Sequence, residues 1–152
     1  MWYIVAMATD SPLHTKAAVL GILRAADRLR RRGAALLEPY GVTLQQYTVL
    51  RILRGARPDG LCTLTIAERM IEQTPGITRL IDRLEAKKLV KRVRSDEDRR
   101  QVWCRIAPEG LRLLARLDQP VADLDRAVVA GLARADQERL AELLAVVHQE
   151  PD

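Results

Sequence analysis

Thr74-Pro75-Gly76-Ile77-Thr78-Arg79-Leu80-Ile81-Asp82-Arg83-Leu84-Glu85-Ala86-Lys87-Lys88-Leu89 carries two patterns at once. Ile77, Leu80, Ile81 and Leu84 recur at i, i+3, i+4 and i+7, the spacing of one buried helical face. Arg79, Arg83 and Lys87 recur every four residues on another face and form a basic stripe. Thr74 suits an N-cap, and Pro75 suits the first helical turn, where its missing N–H has no partner to lose. Gly76 leaves the front of the helix without a bulky side chain. A helix that is apolar behind, basic in front and thin at its N-terminus fits the major groove of DNA. A basic face alone is more often merely solvated, so the flanking sequence decides.

Upstream, Thr65 and Glu68 make a capping box that opens a short helix through Ile66, Ala67 and Met70. Glu72–Thr74 is then the turn of a helix-turn-helix. Further back, Thr43 and Gln46 form another capping box, opening a helix with apolar positions at Tyr47, Leu50, Ile52 and Leu53. Arg57-Pro58-Asp59-Gly60 is a turn. Leu13 to about Glu38 reads as one long helix with Val19, Ile22, Leu23, Ala26 and Leu29 on its apolar side, ended by Pro39-Tyr40-Gly41.

Downstream, the period changes to two. Val90–Arg94 and Gln101–Ile106 suit strands, with Val102, Cys104 and Ile106 on one face. Ser95-Asp96-Glu97-Asp98-Arg99-Arg100 is the polar tip between them. A hairpin placed directly after such a helix is a wing, whose arginines can enter a narrow minor groove. Its acids are read as turn formers that pair with the arginines and fix their direction. From Pro108 the chain is helical again. Leu114, Leu117, Val121, Leu124 and Val128 step by three and four, a seam open to a second copy of the chain, with a kink or brief interruption expected at Pro120. A last helix spans about Asp136–His148.

The 152 residues are one domain's worth, and 48% hydrophobic with 30% charged content is that of a globular chain. Phe is absent and aromatics are few, so aliphatic helix packing fills the core. No apolar run approaches a membrane span, and Met1–Ala8 lacks the basic start of a signal peptide; it reads as an arm that packs on a partner, or as upstream of a start at Met7. The net charge of +5 is uneven: residues 1–60 carry +5, residues 61–107 carry +4 and residues 108–152 carry −4. A polyanion would therefore meet the first two thirds. Cys62 and Cys104 lack metal spacing and fit a reducing cytoplasm. Cys104 reads as a buried structural thiol, and Cys62, in a loop near Arg57, as the more reactive of the two.

The strings Leu64–Met70, Thr74–Val90, Asp96–Ile106 and Ala107-Pro108-Glu109-Gly110, in this order, resemble the MarR family of winged-helix transcriptional regulators. The resemblance runs from about Leu13 to the end. It implies a mainly α fold with a small β-wing: a winged helix-turn-helix DNA-binding lobe at about 43–107, with dimerisation helices at about 11–38 and 108–152, all within a single domain of residues 1–152. It also implies a homodimer on palindromic double-stranded DNA, with Gln73, Thr74, Gly76, Thr78, Arg79 and Arg83 facing the groove. Arg99 would enter the minor groove, with Arg100 beside it and Asp98 orienting the wing. A repressor relieved by a small aromatic or anionic effector would follow the habit of many members. The ligand-binding residues stay open; Tyr40, Tyr47 and Trp103 either line such a pocket or fill core. Lys88 departs from the family pattern, which has glycine where the recognition helix ends; a positive φ there would cost about 1 kcal/mol.

Two other readings compete. A winged-helix module that binds protein leaves the Arg79/Arg83 stripe and Arg99-Arg100 unused, and a ligand-independent or thiol-sensing regulator would centre on Cys62. Catalysis has little to stand on: His14 and His148 sit near opposite ends, no Ser/His/Asp or Cys/His grouping is visible, and no glycine-rich phosphate loop or metal set suggests a cofactor.

Overall fold

The first α-helix ends at Leu37, close to where the sequence puts its end, and runs into a 3-10 turn through Pro39 that Gly41 closes in the left-handed region at φ 68°. The computed structural model describes residues 12–70, 76–94 and 102–148. Along the chain these form α1 (Leu13–Leu37), a 3-10 turn (Glu38–Tyr40), α2 (Leu44–Gly55), β1 (Leu61–Cys62), α3 (Thr63–Arg69), α4 (Ile77–Ala86), β2 (Val90–Arg94), β3 (Val102–Ile106), α5 (Pro108–Val129) and α6 (Arg134–His148). The chain is mainly helical with one small antiparallel sheet in the order β1-β3-β2. That is the winged-helix arrangement the sequence implies.

The start of α2 is as read. Thr43 Oγ1 accepts from the Gln46 N–H and Gln46 Oε1 accepts from the Thr43 N–H, both at 3.2 Å, so two otherwise unpaired donors are satisfied reciprocally. The second capping box does not form. Helix α3 begins at Thr63 with Cys62 as its N-cap, and Met70 lies just past its end. The cause is a strand the sequence reading missed: Leu61 pairs with Cys104 and Cys62 with Trp103, so the chain leaves the sheet and enters the helix with no intervening residues. Thr65 therefore sits inside the first turn, its hydroxyl 3.1 Å from the Cys62 sulfur. Cys62 belongs to a strand rather than to a loop.

Leu50, Leu53, Ile66, Ile81, Leu84, Leu114 and Leu117 are fully buried together with Val90 and Cys104, so α2, α3, α4, the sheet and the first half of α5 share one core. This corrects the seam expected along α5. Leu114 and Leu117 are covered within the chain, whereas Val128 is 39% exposed. The helix continues through Pro120 without a break. Gly110 admits the close approach: a Cβ there would stand 2.4 Å from the Leu89 carbonyl oxygen, so no larger residue lets α5 pack against the start of β2.

The end of α4 confirms the expectation about Lys88, whose φ is 59°. The Leu89 N–H reaches the Leu84 carbonyl at 3.0 Å and the Lys88 N–H reaches that of Glu85 at 2.8 Å, the paired bonds of a Schellman cap. Leu84 and Leu89 are both buried beneath it. Lysine holds this conformation against the clash of its Cβ with the following carbonyl, so Lys88→Gly is expected to stabilise the protein by about 1 kcal/mol. A thermal melt should rise by roughly 2–4 °C; a fall would mean that glycine's greater freedom in the unfolded chain outweighs the relieved strain.

Candidate nucleic-acid interface

Helix α4 turns Leu80, Ile81 and Leu84 into the core and leaves Thr78, Arg79 and Arg83 exposed. Its start differs from the expected one. Gly76 is the N-cap, in the left-handed region at φ 86°, and the first helical residue is Ile77. A Cβ at Gly76 would meet nothing within 4 Å, so glycine is required here by backbone conformation rather than by crowding. Thr74 is thus not the cap that opens this helix. Thr74, Pro75 and Gln73 lie outside the described residues. Arg79 and Arg83 make no ion pair among the described residues, and their guanidinium groups are available to a partner.

Lys87 departs from the stripe. It is the C-cap of α4, and its ammonium donates to the Gly41 carbonyl at 2.5 Å and to Gln46 Oε1 at 3.1 Å. It ties the end of the recognition helix to the start of α2 instead of facing a groove.

Strands β2 and β3 pair from Val90↔Ile106 to Arg94↔Val102, as the alternation predicts. Asp98, Arg99 and Arg100 fall in 95–101, outside the described residues. The base of the wing contains a residue that the sequence reading passed over. Arg92 sends Nη2 to Asp82 Oδ1 and Nη1 to Glu85 Oε2, each at 2.6 Å, while its backbone N–H donates to Glu85 Oε1 at 3.1 Å. Burial works against its charge, but the hydrogen bonds to Asp82 and Glu85 outweigh burial and hold the guanidinium pKa above its ordinary value. The consequence is twofold: the base of the hairpin is fixed to α4, and two acids beside the Arg79/Arg83 face share one cation that offsets part of their charge. The signal was present as Asp82 and Glu85 three apart on one helix side, followed by an arginine on the adjoining strand. Arg105 secures the opposite edge of β3, Nε donating to the Asp59 carbonyl at 2.7 Å.

The three aromatic candidates do not converge on one pocket. Tyr47 is buried in the core, where desolvation raises its pKa. Tyr40 lies beneath the Arg116 guanidinium, 5.2 Å from ring centre to Cζ. Trp103 sits on β3 opposite Cys62 and Val93.

The cysteines separate as expected. Cys104 is fully buried and burial pushes its thiol pKa up. Cys62 is partly exposed, and hydrogen bonds from the Thr65 hydroxyl and the Thr65 and Leu64 backbone draw its pKa down. Thiolate is the reacting form, so a disulfide reagent should label Cys62 in the folded protein and reach Cys104 only in denaturant. Equal labelling rates would contradict this assignment. Among the described residues no cluster of His, Cys, Asp or Glu could hold a metal ion.

A short helix followed in sequence by an amphipathic basic helix, both backed by a three-stranded antiparallel sheet, defines a winged-helix DNA-binding protein. Residues 42–102 match the model of the MarR family. A MarR transcription factor from Planctomyces limnophilus is 36% identical, covering 91% of this chain and 98% of that one with a TM-score of 0.69. The uncharacterised HTH-type transcriptional regulator YsmB of Bacillus subtilis is 33% identical over 110 residues, 70% of this chain and 72% of its own length. A mutant of MarR from E. coli, solved in complex with operator DNA, is 25% identical, with 91% and 100% coverage and a TM-score of 0.78. The chain belongs to the MarR family and is a DNA-binding transcriptional regulator.

Proposed function

We propose that the protein acts as a homodimer on an inverted-repeat operator, as a repressor released by a small ligand. The observation that carries the dimer is a surface. Ile22, Leu23 and Leu29 of α1 and Leu140, Leu143, Leu144, Val146 and Val147 of α6 are 37% to 71% exposed, while the winged-helix core is closed. Apolar exposure on this scale along two helices marks an interaction face, and a second copy supplies its match. In this reading α1 and α6, with the second half of α5, join the protomers. Residues 43–107 form the reading lobe, and Leu114 and Leu117 extend its core into the 108–152 segment.

Gln73, Thr74, Gly76, Thr78, Arg79 and Arg83 face the major groove, and Arg99 and Arg100 serve the wing, with Asp98 setting its direction. What supports this is the exposure of the described members on one side of α4 and the Arg92 tie that aims the hairpin alongside. A cavity of about 300 Å³ between α1 and α2, walled by Ala26, Leu29, Leu44 and Met70 with Arg30 at its side, is suited to an aromatic or anionic effector. Action in the cytoplasm follows from DNA as the partner; no helix among the described residues is long and apolar enough to cross a membrane.

Sedimentation together with footprinting on the DNA upstream of the protein's own gene tests the proposal. A dimer should protect two half-sites about one helical turn apart, roughly 34–36 Å between centres. A stable monomer that protects a single asymmetric site would overturn it.

A further inference from the structure

We propose that the outer face of α1 binds the phosphate backbone of a second segment of duplex DNA, apart from the segment under α4 and without regard to base sequence. Helix α1 carries six cations, Lys16 and five arginines, against one acid, Asp27. Its charge of +5 equals the whole excess of residues 1–60 and lies outside the reading lobe. The one acid is already engaged, 3.0 Å from the Arg31 guanidinium. Arg30 lines the cavity between α1 and α2. Arg24, Arg28 and Arg32 stand four residues apart on one exposed stripe and form no ion pair among the described residues.

Their direction separates them from the DNA that α4 reads. Gly33 and Leu37 are buried where α1 packs on the lobe, and a Cβ at Gly33 would stand 2.9 Å from the Leu44 side chain. Arg24 precedes Gly33, and Arg28 precedes Leu37, by nine residues or about two and a half turns, so the arginines lie on the opposite side of the helix. The character of the face argues against a protein partner. Gly21, Ala25 and Ala35 each lie seven residues from one of the arginines, about two turns along the same side, and all three are exposed. From Gly21 onward this side holds no aromatic or aliphatic side chain larger than alanine, whereas protein interfaces are carried by such anchors. Guanidinium groups on so low a floor suit a charged ribbon. Four residues rise about 6 Å, so the stripe spans about 12 Å. Successive phosphates of one strand advance about 3.4 Å along the duplex axis, and the stripe meets several of them at once. A chain seated on DNA through α4 then holds a distant part of the same molecule on α1 and closes a loop between the two.

The test uses the full chain and two duplexes. An operator duplex cut to the footprint is fixed to a surface and saturated with protein, and a labelled duplex without the operator is passed over it at about 0.1 M salt. The wild type should retain the second duplex, and added salt should release it with a log–log slope of roughly two to three units. The variant Arg24→Gln, Arg28→Gln, Arg32→Gln should retain it at least about tenfold less well. Its affinity for the operator duplex and its melting midpoint should match the wild type. Lysine at the same three positions keeps the charge and should keep the retention. Failure of the wild type to retain the second duplex overturns the proposal, as does equal retention by the glutamine variant. Operator affinity that falls in step with retention also overturns it, by placing the arginines against the segment under α4. Displacement of the duplex by polyglutamate at equal charge overturns it in favour of an acidic protein. Loss of retention in the lysine variant makes the effect one of helix packing and overturns it too.

Discussion

Leu143→Glu combined with Leu144→Glu should turn the protein into a folded monomer that no longer holds its operator. Both side chains lie on α6 and are 50% and 39% exposed in the single chain, so the substitutions disturb no intrachain core. In the proposed dimer they would place unpaired charge in a desolvated interface, a cost of several kcal/mol. DNA binding should fail with dimerisation because the second half-site is engaged at the high effective concentration set by the first. Losing that link removes roughly a hundredfold to ten-thousandfold of apparent affinity. Sedimentation velocity reads the first effect and fluorescence anisotropy on a labelled operator reads the second, with circular dichroism confirming helix content. A dimer with unchanged operator affinity would show that the apolar face of α6 has another use.

The second large effect distinguishes the two basic elements. Arg79 is exposed near the front of α4, where a bidentate guanidinium can read a guanine edge. Arg79→Ala should cost roughly 1–3 kcal/mol and relax preference at one base-pair position. Arg99, in the sequence between β2 and β3, meets phosphate or a narrow A·T-rich minor groove in this proposal. Arg99→Ala should weaken binding to all operator variants of similar groove width and reduce the salt slope by about one unit per lost phosphate charge. Titrating salt against a panel of single-base variants reads both. If Arg79→Ala weakens every variant equally and Arg99→Ala changes the preferred base, the assignments are reversed and the helix only holds the backbone.

Much of this architecture was legible because local chemistry and tertiary fold agree. Thr43 and Gln46 form the cap that their spacing predicts, and the Val90 and Ile106 alternation becomes a register. The strained Lys88 was visible as a departure from glycine. What stayed hidden depended on partners distant in sequence. Two residues, Leu61 and Cys62, are too few for a periodic signal, and only Trp103 and Cys104 make them a strand. That pairing in turn moved the start of α3. Lys87 kept the four-residue spacing of its stripe, yet the reach to Gly41, 46 residues away, removed it from the groove face. Arg92 went unread in the sequence because its role exists only where Asp82 and Glu85, ten and seven residues earlier, close on it. Leu114 and Leu117 followed a seam pattern that also fits an intrachain core, and a heptad cannot say which neighbour fills it.

Helix α5 contributes to two bodies at once. Its beginning is locked into the reading lobe through Gly110, Leu114 and Leu117, and its end, from Val128, lies among the exposed apolar surface. Between them runs an unbroken helix of 22 residues, about 33 Å long. Such a helix is a lever arm. A tilt of a few degrees at the proposed dimer end displaces the lobe by an ångström or two, enough to shift an inserted helix off its base edges without unfolding anything. The two reading helices would then be set apart by an angle rather than switched off one at a time, so both half-sites would be released together.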